Sequence, residues 1–191
     1  MELPDPPLVD RSAGVALRAW RTADAPALAE AWATPDIAGH ATVPGGGGVE
    51  AAERWIGGGP ARTAAGLALD LVIGPVDGGT EVWGEVGVIQ LRLVSAGPDA
   101  SSRRRTVWDM GWWLRPEHRG RGRARAGAAL LASWVARSLD EPLIARVDIA
   151  SPASAAVAVG AGLIRRGRYD ADHDLWLAFH VGDGDESPRR S

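Results

Sequence analysis

Residues 106–139 constrain the fold more than any other stretch. A strand-like run, Thr106 to Leu114, stops at Arg115-Pro116; after Glu117-His118 the turn Arg119-Gly-Arg-Gly-Arg-Ala124 runs straight into a segment of helical period. Leu130, Leu131, Trp134, Val135 and Leu139 form the apolar stripe of that helix, which the periodicity places at 120–139. A helix N-terminus leaves backbone N–H groups without intrahelical partners and carries the positive end of the macrodipole. Glycines let a ligand approach that backbone closely. Together these make an anion site suited to phosphates. Arg115, Arg119, Arg121, Arg123 and Arg125 crowd the same helix start, where the dipole disfavours each cation by roughly 0.3–1 kcal/mol. An anion completing the site accounts for them; the plain alternative is a solvated arginine cluster. Neither familiar nucleotide loop fits. The chain has no lysine for G-x-x-x-x-G-K-[ST], and glycines at 120, 122 and 127 do not space as G-x-G-x-x-G.

The flanking pattern sets the fold class. Val15 to Trp20 alternates as a strand, and Thr22 caps a helix with Leu28, Ala31 and Trp32 on one face. Val49 to Ile56 reads as a second short helix, ended by Gly57-Gly-Gly-Pro60. Leu67 to Ile73 and Trp83 to Val94 are strands joined through Asp77-Gly78-Gly79, and 96–105 reads as a polar loop. Downstream come a strand at Leu143 to Ile149, a helix opened by Ser151-Pro152 and closed near Gly160 to Gly162, and strands at Leu163 to Tyr169 and Asp174 to Phe179. This order predicts an α+β domain, not a doubly wound sheet. The expected organisation is a flexible segment over 1–12, one domain over 13–181 and a disordered tail over 182–191.

Several function classes are disfavoured. A formal net charge of -3 gives no general reason for nucleic-acid binding, although Arg103-Arg104-Arg105 and the later arginines are basic. There is no cysteine, so disulfides and thiolate chemistry are out. No apolar run approaches the roughly 20 residues that span a bilayer, and the acidic, proline-rich start does not read as a secretory leader. No metal site and no membrane partner are expected, and the expected location is cytoplasmic.

Arg119-x-x-Gly122-x-Ala124 after a strand resembles the acyl-CoA loop, Q/R-x-x-G-x-G/A, of GCN5-related N-acetyltransferases. Asp109-Met-Gly-Trp-Trp-Leu-Arg-Pro-Glu-His-Arg-Gly-Arg-Gly-Arg-Ala124 is similar to the RimJ/RimL-like branch, and Arg146-Val-Asp-Ile-Ala-Ser151-Pro-Ala-Ser154 with Gly162-Leu163 is similar to the strand, N-x-x-S helix start and G-F that follow. The likeness spans about 15–180 and is specific over about 106–165.

The resemblance implies a mixed, mostly antiparallel sheet of about six to seven strands, flanked by about four helices, with a splayed strand pair that binds acyl-CoA. It implies acetyl-CoA as co-substrate, and an amine acceptor that is a small molecule or a protein N-terminus. A homodimer is the family habit. It places the pantetheine arm on Trp113, Leu114 and Arg115, and the pyrophosphate on Arg119, Gly120, Arg121, Gly122, Arg123 and Ala124. Ser151 stands where the family often has asparagine, and its residue type also fits a helix cap. Asp109 is the first choice for base or amine anchor, with Glu85 second. Ser154 is the candidate for protonating the leaving thiolate, because the tyrosine common in the family is missing from Val157-Ala158-Val159 and Tyr169 comes too late. His118 is placed in a surface loop. Trp32 and Trp55 are candidates to line the acceptor cleft, while Trp20, Trp134 and Trp176 are assigned to the core. The missing tyrosine keeps open a second reading, an acyl-CoA-binding module without catalysis.

Overall fold

The computed structural model describes residues 1–5, 7–39, 47–96 and 102–178. Eight strands form one sheet in the order β1-β2-β3-β4-β5-β6-β8-β7. They are β1 (Leu8–Asp10), β2 (Val15–Ala19), β3 (Ala68–Pro75), β4 (Gly84–Ala96), β5 (Ser102–Leu114), β6 (Leu143–Asp148), β7 (Leu163–Arg168) and β8 (His173–Ala178). Every neighbouring pair is antiparallel except β5 and β6. The α-helices are α1 (Ala25–Trp32), α2 (Pro35–Ala38), α3 (Val49–Gly57), α4 (Gly59–Ala64), α5 (Arg123–Ser138) and α6 (Pro152–Gly160).

The side-chain period of two divides the sheet into two faces. Val15, Leu17, Leu69, Leu71, Ile73, Val86, Val88, Trp108, Met110 and Leu114 point to one side, where they bury α5 through Leu131 and Val135. These two helix residues are fully buried, each worth about 1.5–3 kcal/mol of removed apolar surface. Gly127 lets the helix lie close: a Cβ there would meet Ile73 Cδ1 at 3.0 Å. Intervening residues, among them Asp70, Glu85 and Trp113, point to the opposite face. There Trp20, Trp55 and Trp113 pack on a second cluster built by Leu28 and Trp32 of α1 and by Ala52 and Ile56 of α3.

Four expectations need correction. The sheet has eight strands instead of six to seven, because Leu8–Asp10, expected within a flexible segment over 1–12, pairs with β2. β4 and β5 run into the stretch read as a polar loop, since their ladder continues without a shift from Gly84↔Leu114 to Ala96↔Ser102; ladder hydrogen bonds carry polar residues there. Gly59-Pro60 does not end the helical region but opens α4, where proline sits in a first turn that needs no N–H. α5 begins at Arg123 rather than 120, because Gly120 and Gly122 both take φ +72°. Residues 182–191 lie outside the described residues.

Candidate active site

The single parallel pair in the sheet makes a cleft. β5 and β6 are in register only at Trp108↔Leu143 and Asp109↔Ile144. Beyond Asp109 the two strands separate, and the β6-facing edge of β5 has no strand partner. Alternation decides which backbone groups are free. Trp108 N–H donates toward β6, to Pro142 O, whereas Arg115 N–H donates toward β4, to Trp83 O. Met110, Trp112 and Leu114 therefore present their N–H and C=O groups to the cleft, while Trp113 and Arg115 turn theirs to β4. The backbone of Trp113 and Arg115, expected at the open edge, is therefore engaged by β4, and Met110 and Trp112 stand at that edge instead; Leu114 keeps its N–H free but its carbonyl accepts from Arg119 Nε at 2.9 Å.

At the end of β5 the chain passes a short 3-10 turn, Pro116–His118, and enters α5 through Gly122 in left-handed conformation. No side chain caps α5. The first helical bond is Ala126 N–H to Gly122 O at 3.0 Å, so the N–H groups of Arg123, Ala124 and Arg125 stand free at the positive end of a 16-residue helix. Non-glycine residues rarely adopt the positive φ of Gly120 and Gly122, and no atom lies within 4 Å of where their Cβ would be, which leaves the turn open to a ligand. The site fits a diphosphate: unpaired donors, a favourable dipole and room.

The arginines divide the work differently from expectation. Arg115 pairs with Glu30 and Glu117, each at 3.0 Å. Arg119 pairs with Asp36 of α2. Arg123 is folded back, its guanidinium 3.5 Å from the Trp83 ring centroid and 2.6 Å from His118 Nδ1. Arg125 lies across Gly160 at the C-terminal end of α6, so close that a Cβ on Gly160 would sit 2.3 Å from its Cγ. Among the described residues of this group, Arg121 and Arg125 have no side-chain ion pair or hydrogen bond, and of these two only Arg125 is packed against a neighbouring element. His118 is no surface residue: it is 8% exposed. Burial holds its imidazole below the ordinary 6.5, against the pull of Glu81. Because a guanidinium can only donate, His118 Nδ1 is the acceptor, which fixes the proton on Nε2 toward Glu81 Oε1 at 3.6 Å.

The face away from α5 carries the titratable groups. Glu85 of β4 lies opposite Trp113 of β5. Burial, then the charge of Asp70, pushes its carboxyl from 4.5 up to about 8. The Trp113 and Trp20 indoles oppose this weakly, although Trp20 Nε1 makes no hydrogen bond of ordinary geometry. Asp70 is itself paired with Arg62 at 3.3 Å. Asp109 sits at the point of splaying, where Arg146 Nε and Nη2 donate to its Oδ2 at 2.9 and 2.6 Å. Burial outweighs the guanidinium and raises its carboxyl above the usual range; its Oδ1 is buried without a partner. Between these two carboxylates the cross-strand pair is Gly87↔Gly111. Gly111 is exposed and nothing lies within 4 Å of where its Cβ would be, whereas a Cβ on Gly87 would meet Asp70 Oδ1 and Leu69 O at 3.0 Å, so a notch over Gly111 alone separates Glu85 from Asp109.

Ser151 caps α6, its Oγ accepting from Ser154 N at 3.3 Å. Its hydroxyl also donates to Ser154 Oγ at 2.9 Å, which leaves the Ser154 proton free to be donated elsewhere. Tyr169 follows β7, and its ring lies 5.5 Å from the Arg146 guanidinium. No cluster of three or more His, Asp or Glu able to hold a metal occurs among the described residues, and no described helix is long and apolar enough to cross a membrane. Sequence reasoning ranked Glu85 second and missed the notch. The signal was present as Glu85-Val-Gly87 and Asp109-Met-Gly111, two carboxylates each two residues from a glycine on facing strands.

A splayed strand pair whose free edge leads to uncapped amides defines an acyl-CoA-dependent transferase. The model of the acetyltransferase (GNAT) domain matches residues 15–164, and the chain belongs to that family of acetyl-CoA-dependent enzymes. No curated protein matches by sequence. Among solved structures, the chain is similar to an acetyltransferase from Agrobacterium tumefaciens strain C58, 23% identical, covering 94% of this chain and 97% of the other with a TM-score of 0.66. Mycobacterium smegmatis RimJ in complex with CoA-disulfide is also 23% identical, with 92% and 86% covered and a TM-score of 0.66. Spermidine N-acetyltransferase from Vibrio cholerae, in complex with CoA and spermine, is 14% identical, with 86% and 94% covered and a TM-score of 0.60.

Proposed function

We propose that this chain is an N-acetyltransferase that moves an acetyl group from acetyl-CoA directly to a primary amine, with Glu85 as base. The observation that supports it best is the combination of three features: the free N–H groups at the start of α5, the open edge of β5 and the notch over Gly111 near Glu85. Acetyl-CoA supplies an acetyl group activated as a thioester. The amides of 120–125 and the Arg121 side chain hold the diphosphate. Met110, Trp112 and the Leu114 N–H pair with the pantetheine arm as an added strand would.

The acceptor amine sits over Gly111. Glu85 takes the proton the amine must lose as its nitrogen bonds to the acyl carbon. Asp109, held through Oδ2 by Arg146, fixes the sheet at the point of splaying, its Oδ1 buried out of the acceptor's reach. Backbone N–H groups of the β5 edge face the acyl oxygen and stabilise charge that develops there. Ser154 donates its proton to the departing sulfur as it takes the Ser151 hydroxyl proton along their hydrogen bond, and water returns a proton to Ser151.

The test pairs calorimetric titration of acetyl-CoA with measurement of CoA thiol release across a panel of primary amines. Micromolar binding with amine-dependent release is expected. Binding without release on any amine would instead establish the non-catalytic module that the missing tyrosine keeps open.

A further inference from the structure

The acceptor side of the sheet has an uncommon composition. Trp20, Trp32, Trp55 and Trp113 form one chain of rings on it. Trp20 meets Trp55 edge-on at 5.9 Å, Trp55 meets Trp32 edge-on at 5.9 Å, and Trp20 lies tilted against Trp113 at 6.5 Å. Trp32 is buried behind, but Trp20, Trp55 and Trp113 are half-exposed. Trp113 is the neighbour of Gly111 on this face and stands across from Glu85, so the ring wall borders the notch. Ile89, on the far side of Glu85 and Gly87 along β4, is 42% exposed.

Charge on this face nearly cancels. Asp70 is taken by Arg62 and Asp109 by Arg146. At the rim, Glu30 is taken by Arg115 and Asp36 by Arg119. Arg62 also covers one face of Trp55, with its guanidinium carbon 4.6 Å from the centroid. Of the three carboxyls that flank Gly111 and Gly87 on this face, Asp70 and Asp109 have a cation in ion-pair contact and Glu85 does not. A single carboxyl matches a single ammonium. A polyamine would need several such partners spaced along its length, and a polypeptide terminus would need backbone partners that a row of indoles does not supply. Indole faces instead favour a flat apolar body and add cation–π attraction to a nearby ammonium.

We propose that the acceptor is a monocationic primary amine carried on a flat aromatic body, its ring against Trp113 and Trp20 and its nitrogen in the notch over Gly111, near Glu85. This rests on the transferase reading above and names the substrate class for the same site. It makes Gly111 a specificity residue, since any side chain there fills the space the nitrogen needs. Trp113 is a binding residue that acts on the acceptor and not on acetyl-CoA.

The experiment compares tryptamine, spermidine and an unblocked hexapeptide as acceptors at saturating acetyl-CoA, read as CoA thiol release. Quenching of intrinsic tryptophan fluorescence by each amine in the presence of CoA gives a second readout without turnover. Expected is a kcat/KM for tryptamine about tenfold or more above the other two, the worth of roughly one aromatic contact. Trp113→Ala should raise the tryptamine KM by a similar factor with the acetyl-CoA Kd unchanged, and Trp113→Phe should restore most of it. Gly111→Val, which meets no atom within 4 Å and suits a strand, should keep its melting temperature and acetyl-CoA affinity while losing tryptamine binding. Preference for spermidine or the peptide, or equal losses on all three amines in the variants, overturns the aromatic-amine assignment while the transferase reading stands. Absence of release with every amine, despite acetyl-CoA binding, overturns both.

Discussion

Replacing Glu85 by glutamine tests the base directly, because the structure gives both a rate and a stability consequence. With its carboxyl pushed up to about 8, roughly a tenth of Glu85 is ionised at pH 7. The ionised form is the competent base, so kcat/KM should climb about tenfold per pH unit well below 8 and level off above it. Amine acceptors titrate in the same direction. The profile is therefore measured with an acceptor already neutral at pH 6, so that the remaining inflection belongs to the enzyme. Glu85→Gln should lower kcat by about 10²–10⁴-fold, the usual worth of a positioned base, and flatten the profile.

Stability should move the other way. The folded-state value lies above the unfolded 4.5, so the folded protein binds the proton more tightly. The stability this provides is complete below 4.5 and lost as pH rises through about 8. At roughly 1.4 kcal/mol per pH unit the gap corresponds to about 5 kcal/mol against the charged form. Water reaching a half-buried side chain reduces this to about 2–3 kcal/mol. Glu85→Gln should accordingly gain on the wild type in urea melts at pH 9, with little difference at pH 4. A variant that keeps kcat within about threefold and retains the inflection refutes Glu85 as base.

Three further outcomes are expected. Ala124→Glu puts a carboxylate where the diphosphate should dock, yet suits the first turn of a helix; titration should show acetyl-CoA binding lost and the thermal melt unchanged. Ser154→Ala should lower kcat by about tenfold or more with KM for acetyl-CoA unaltered, which steady-state kinetics at saturating amine reads. Gly127→Leu drives a side chain into Ile73 and Leu17, which already lie 3.0–3.5 Å from the missing Cβ, and should cost about 1–3 kcal/mol in denaturant unfolding.

Much of this was legible in the sequence because it depends on local rules. Residues 119–124 announced an anion site since glycine at positive φ and a long apolar stripe leave little alternative to an uncapped helix start. Ser151-Pro152 fixed the start of α6 for the same reason. What escaped required knowledge of pairing. The backbone direction of Trp113 follows from its register with Glu85, which no local pattern specifies. His118 looks exposed in Glu-His-Arg-Gly, but it packs on the Trp83 ring beside the folded-back Arg123, neighbours no local pattern specifies. Glu85 and Asp109 resemble each other as lone carboxylates on strands; Arg146, 37 residues beyond Asp109, separates their roles. The strand Leu8–Asp10 is too short to stand out beside the prolines that precede it.

The claim on which the rest depends is that a diphosphate docks on the free amides between Gly120 and Arg125. Amide hydrogen exchange at single-residue resolution, with saturating CoA and separately with pantetheine, tests it most directly. CoA should protect 120–125 together with Met110 and Trp112, whereas pantetheine, which lacks the diphosphate, should protect only the β5 edge. Unchanged exchange at 120–125 with CoA bound, or equal protection by pantetheine, would contradict it.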